Sequence, residues 1–140
     1  MPADLSAELL VVGHDLWMVK HTDIAIVDAP TKIGTDTAQE MIMAKYFNKP
    51  LISIIPKEAH HRKSNITFHG IIIADWIHPF LHISSDAVVE NIEEAIVWIK
   101  QYMKKPEAIK IKDFSVFENA IETFEKKMPE VYKSYVKKGW

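Results

Sequence analysis

Apolar residues along this chain fall into short blocks whose period keeps changing, and the changes mark its elements. Between residues 6 and 20, Leu9, Leu10, Val12, Leu16, Trp17 and Val19 recur at broadly helical spacing, with Ser6 as the expected cap and Gly13 as the point where the helix could divide. The runs "DIAIVDAP" (23–30) and "PLISIIP" (50–56) are compact, β-branched and stopped by proline, which reads as two buried parallel strands. Between them "IGTDTAQEMIMAKYFNK" predicts a helix. Residues 23–56 therefore form a β-loop-α-β unit, the building block of a parallel sheet. "GIIIADWI" (70–77) predicts a third strand.

From Ser85 onward Val88, Val89, Ile92, Ala95, Ile96, Ile99 and Met103 repeat at three and four residues, predicting an amphipathic helix laid over the sheet. Ser115-Val-Phe-Glu118 has the spacing of a capping box ahead of Ala120, Ile121 and Phe124. "PEVYKSYVKKGW" begins with proline in its favoured first-turn position and predicts a last short helix. The expected fold is α/β: a Rossmann-like or flavodoxin-like parallel sheet flanked by helices, with a C-terminal helical extension. Residues 1–105 would form the α/β domain and 106–140 the extension of that same domain.

Composition narrows the function. With 140 residues and 48% hydrophobic content the chain can close one sizeable core. Its net charge of −2, and a single arginine (Arg62) among 17 basic residues, give no electrostatic footprint for nucleic acid or an anionic membrane. The absence of cysteine removes disulfides and thiolate chemistry. No basic leader precedes a long apolar run and no segment approaches bilayer length, so a soluble, cytoplasmic protein is expected.

In an open α/β sheet, ligands bind where the loop after a strand meets the next helix, because free backbone N–H groups and the helix dipole favour polar or anionic groups. "DAPTKIGTDTAQE" occupies that junction. It offers Gly34 for close approach, Thr35, Asp36 and Thr37 for hydroxyl or phosphate oxygens, and Glu40 one turn into the helix. Thr37-Ala-Gln-Glu40 also has capping-box spacing. Glu40 thus reads locally as a cap, on an otherwise apolar helix where an ionised carboxylate costs several kcal/mol unless it is paired or used. Asp23 and Asp28 flank the first strand and suit loop N–H groups as well as a ligand.

The histidines do not predict a metal site. His60 and His61 are adjacent, and His78-Pro-Phe-Leu-His82 has ligand spacing interrupted by proline. "PKEAHHRK" is expected as a loop at the carboxyl edge of the sheet. Trp17, Tyr46, Trp76 and Phe80 could stack on a base, although such aromatics usually serve a core.

"DLWMVKHTDIAIVD" followed by "GTDTAQEMIMAKYFNKPLISIIP" resembles the core of the nucleoside 2-deoxyribosyltransferase family, which includes the deoxynucleoside 5′-monophosphate N-glycosidases. Asp15, Val19, Asp23, Glu40, Ala44 and Asn48-Lys49-Pro50 fall in the places of the family pattern, over residues 15 to about 56. The resemblance implies that Glu40 is a nucleophile toward the anomeric carbon of a deoxyribonucleoside or its 5′-monophosphate, with Asp15 serving the base and its proton traffic. It implies sugar or phosphate binding by the Gly34-Thr35-Asp36-Thr37 stretch, no cofactor and no metal. It also implies a homodimer or higher homo-oligomer in which a neighbouring subunit completes the site, with the tail to Trp140 as a contributor. Three places depart from the pattern. Gly34 stands where the family has a sugar-binding Asp or a phosphate-binding Ser, Ile42 replaces a common glycine, and the family's first strand with its "GP" loop has no counterpart. The alternative expectation is a non-catalytic nucleotide-binding or assembly domain on the same scaffold. A more distant one is cleavage of the glycosidic bond of a dinucleotide.

Overall fold

The computed structural model describes residues 3–130, 132 and 133. Helix α1 (Ala3–His21) leads into strand β1 (Ala25–Asp28), helix α2 (Thr35–Tyr46) and strand β2 (Leu51–Ile54). Strands β3 (Arg62–Phe68) and β4 (Ile71–Ile77) follow, then helix α3 (Pro79–Ser84), strand β5 (Ala87–Val89), helix α4 (Ile92–Lys104), a single 3-10 turn (Pro106–Ala108) and helix α5 (Ser115–Lys126). Strands β1, β2 and β5 form a three-stranded parallel sheet in the order β1-β2-β5. The fold is α/β and Rossmann-like, as the sequence predicts.

Alternation along β2 builds both faces of the core. Leu51 and Ile55 join Val27, Ala29, Met41 and Leu81 in a cluster beneath α2 and α3, whereas Ile52 and Ile54 join Ala95 beneath α4. A strand buried on both sides needs a continuous apolar run, which is why "PLISIIP" was legible. Ser53, the one polar residue within β2, is fully buried and shares a hydrogen bond of 2.6 Å with Ser85.

Two elements differ from expectation. "GIIIADWI" is not a third parallel strand: β4 pairs antiparallel with β3 in a separate two-stranded hairpin, from Arg62 opposite Ile77 to Phe68 opposite Ile71. The turn at His69-Gly70 has φ of 49° and 77°, and two consecutive left-handed residues are what a tight hairpin turn requires. The expected loop at "PKEAHHRK" accordingly runs into β3 at Arg62. The third parallel strand is β5, inside the run expected as helix. Val88 and Val89 are strand residues, and α4 starts only after Asn91, whose side-chain oxygen accepts the Glu94 N–H at 2.9 Å.

Two expected caps also move. Helix α1 is continuous through Gly13 and starts before Ser6. Helix α5 starts after Phe114, and Asp113 just before it accepts both the N–H (2.9 Å) and the hydroxyl of Ser115, so Ser115 is the first helical residue and not the capping one. Of the last expected helix, Glu130, Tyr132 and Lys133 are helical, while residue 131 and residues 134–140, Trp140 among them, lie outside the described residues.

Helix α2 is anchored at its C-terminal end by a buried ion pair. Lys45, fully buried, donates to the Asp86 carboxylate, and also to the Lys112 carbonyl at 3.2 Å. Asp86 further accepts the N–H of Leu51 (2.8 Å) and of Lys112 (2.7 Å), so one carboxylate joins α2, β2, β5 and the strap before α5. Burial pulls the Lys45 ammonium below its ordinary range, against the opposing pull of Asp86. This anchor lies at the amino edge of the sheet and leaves the other end of α2 to the candidate site.

Candidate functional site

Helix α2 begins at Thr35, with Gly34 as the residue before it in extended conformation and no side chain capping the end. Thr37 is therefore the third helical residue, and the capping box expected at Thr37-Ala-Gln-Glu40 does not form. Glu40 has no hydrogen bond or ion pair among the described residues, so the helix does not use its carboxylate.

Glu40 instead forms the wall shared by two cavities. The larger, about 480 Å³, lies between α1 and α2 and is lined by Val12, Asp15 and Leu16 on one side and Thr35, Asp36, Gln39, Glu40 and Met43 on the other. The smaller, about 220 Å³, runs along β1, where Val19, Asp28, Thr37 and Glu40 are among the residues around it. Both helices present an i, i+3, i+4, i+7 face, with Val12, Asp15, Leu16 and Val19 on α1 and Asp36, Gln39, Glu40 and Met43 on α2.

Burial raises the proton affinity of Glu40 above the usual carboxylate range, and the negative charges of Asp15 and then Asp36 push in the same direction. Asp15 accepts a hydrogen bond of 2.9 Å from the neighbouring His14 ring. The cleft thus holds one carboxylate with no partner and two more that act on it through space, flanked by the hydroxyl of Thr35 and the amide of Gln39.

Of the residues the sequence singled out, Asp15, Thr35, Asp36 and Glu40 meet in the larger cavity, and Thr37 meets Glu40 in the smaller. Gly34 lines neither. Its lack of a side chain serves Asp36: a Cβ at residue 34 would sit 2.8 Å from the Asp36 carboxylate oxygen. Compared with models of protein families, with curated proteins and with solved structures, the chain matches none.

Sequence reading passed over Gln39 and the apolar walls Leu16 and Met43, although their spacing with Glu40 and Asp15 was visible. The aromatics considered for base stacking do not reach the cleft. Trp17 stacks on His21 with ring centroids 4.4 Å apart, Tyr46 meets Phe47 and Phe114, and Phe80 faces a separate cavity beside α3. Among the described residues no group of three or more His, Asp or Glu side chains is arranged to hold a metal ion, and no helix is long and apolar enough to cross a membrane.

Proposed function

We propose that this chain acts at the N-glycosidic bond of deoxynucleosides or their 5′-monophosphates, with Glu40 as the nucleophile. The observation that carries the reading is the state of Glu40: half-buried, unclaimed by its helix, facing two cavities and raised in proton affinity. A carboxylate held this way is a stronger nucleophile once ionised, because its charge is poorly solvated and repelled by its neighbours.

In the proposed reaction a Glu40 oxygen bonds to the anomeric carbon while the carbon–nitrogen bond breaks and its electron pair leaves with the base. A water held by the Asp15 carboxylate gives its proton to the departing ring nitrogen. The hydroxide left behind adds to the same carbon as the bond to Glu40 breaks, which restores both carboxylates. A second base in place of water gives transfer. Thr35, Asp36 and Thr37 bind sugar hydroxyl or phosphate oxygens at the start of α2, where the helix dipole favours them.

A second copy of the chain belongs to this reading. Strand β1 is an edge strand: Ala25 and Ala29 donate to Pro50 and Ile54 at 2.8 and 2.9 Å, so by alternation Ile26 and Asp28 turn their backbone groups to the open side. Ile26 is 45% exposed, and the nearby helix α1 leaves Leu10, Val11 and Trp17 more than half exposed. The same open edge also favours the second reading, a nucleotide-binding or assembly domain without catalysis.

The test is incubation with a panel of deoxynucleosides and their 5′-monophosphates, with released base measured by chromatography. Release by the wild type and its loss in Glu40→Gln supports catalysis. Silence from both, together with a ligand-dependent rise in melting temperature, decides for the binding domain.

A further inference from the structure

We infer that His61 is a positioning residue for the Glu40 site, holding the loop between β1 and α2 through a hydrogen bond that only its neutral imidazole can accept. The Ile33 N–H donates to His61 Nε2 at 3.2 Å. Ile33 immediately precedes Gly34, the residue from which α2 starts, so this bond fixes the backbone that aims Thr35, Asp36 and Thr37.

The tether comes from the hairpin, an element with no other visible claim on the site. His61 is 8% exposed, and its carbonyl accepts the His78 N–H at 2.9 Å. The next residue, Arg62, makes a two-pronged pair with Asp75 at 2.9 and 2.7 Å and donates to the Ile55 carbonyl at 2.9 Å. The imidazole is therefore mounted on a fixed base and reaches across 28 residues of sequence to the loop.

Accepting at Nε2 requires the lone pair there and the proton at Nδ1. Protonation turns Nε2 into a donor facing another donor, and the bond is lost. The surroundings oppose that protonation. Burial lowers the proton affinity of His61 below the ordinary histidine value, and His60, His78 and Lys32 act in the same direction. The α2 and α3 side chains around the same cavity (Ala38, Met41, Ile42, Phe80, Leu81 and Ser84) bring no negative charge to stabilise the cation. The sign follows: the tether is complete above the ordinary histidine range and is released as pH falls through the lowered value.

The importance of the loop rests on the Glu40 reading, but the tether can be tested without any substrate. Exchange of the Ile33 amide hydrogen, followed by NMR and corrected for intrinsic pH dependence, is measured from pH 8 to pH 5. In wild type the amide is expected to be protected at pH 8 and to exchange roughly five- to tenfold faster once the bond is lost. His61→Gln retains an acceptor that does not titrate, and is expected to keep protection at both ends. His61→Leu should be unprotected throughout while its circular dichroism stays native. A pH transition that persists in His61→Gln, or an Ile33 amide unchanged in His61→Leu, would overturn the inference. If protection behaves as expected but no base is released from any nucleoside, the tether stands and the glycosidic reading fails.

Discussion

Asp15 on α1 and Glu40 on α2 face one cleft, and the charge of Asp15 makes the ionisation of Glu40 harder. The two helices thus hold a pair of acidic groups in one cleft whose lining has no lysine or arginine, with the His14 ring beside Asp15. The fold gains nothing from that arrangement, because partly desolvating Glu40 beside a second carboxylate costs free energy. The pair is therefore the natural point at which to test function.

The pH dependence has a definite sign. If Glu40 attacks as the carboxylate, kcat/KM falls on the acidic side as pH drops through its raised value. Asp15→Asn removes the second-largest cause of that rise, so the acidic limb should move to lower pH. The rate itself should fall about a hundredfold or more, as Asn cannot relay the proton to the base as a carboxylate does. A limb that stays in place in Asp15→Asn would remove Glu40 as the titrating group.

Glu40→Gln separates function from stability. A carboxyl whose folded-state proton affinity is raised contributes most below its unfolded value of 4.5, and that contribution is lost as pH rises through the folded value. Above that folded value the ionised Glu40 is therefore a small burden on the fold. Glu40→Gln should melt at the same temperature as wild type or higher, while losing at least about a thousandfold in activity. A melting temperature lowered by several degrees would return Glu40 to a structural role.

Gly34→Ala addresses the start of α2. The added Cβ meets the free end of a side chain and not the backbone, so Asp36 can swing aside and the fold should lose less than about 1 kcal/mol. The displaced carboxylate would no longer bind substrate oxygens, and KM is expected to rise several-fold with kcat little changed. Steady-state kinetics beside thermal melts distinguish this from unfolding.

The parts legible in the sequence were those written in local pattern. Strands β1 and β2 announce themselves through β-branched runs, the first closed by Pro30 and the second bracketed by Pro50 and Pro56, and the helix between them follows from its apolar spacing. Strand β5 spans only Ala87–Val89, too short to show a period of two beside the strongly helical pattern after it. The hairpin was missed because "RKSNITF" is polar and "IIIADWI" apolar. A run of isoleucines suggests burial on both faces, yet Ile71 and Ile72 are 67% and 72% exposed. In the site, the residue types were visible but the pairing of α1 with α2 was not, since nothing along one chain states which two helix faces meet. The His61 tether and the Lys45–Asp86 pair span 28 and 41 residues, distances at which sequence spacing carries no signal.

That second pair yields the largest stability prediction. Asp86→Ala leaves the Lys45 ammonium fully buried without its counter-ion and takes the acceptor from the N–H groups of Leu51 and Lys112. Breaking a buried pair from one side costs about 3–5 kcal/mol, which for a domain of this size lowers the melting temperature by roughly 10 °C or more. Lys45→Met should cost less, because Asp86 keeps its two backbone donors and Met fills the vacated volume. Lys45→Met combined with Asp86→Ala should recover part of the loss, since no buried charge is left to desolvate, though the two N–H groups remain unpaired. Chemical denaturation of the four proteins gives the coupling energy directly. Additive costs would show that the two side chains act separately, whereas a double variant more stable than Asp86→Ala alone shows that the buried charge, and not lost packing, dominates the damage.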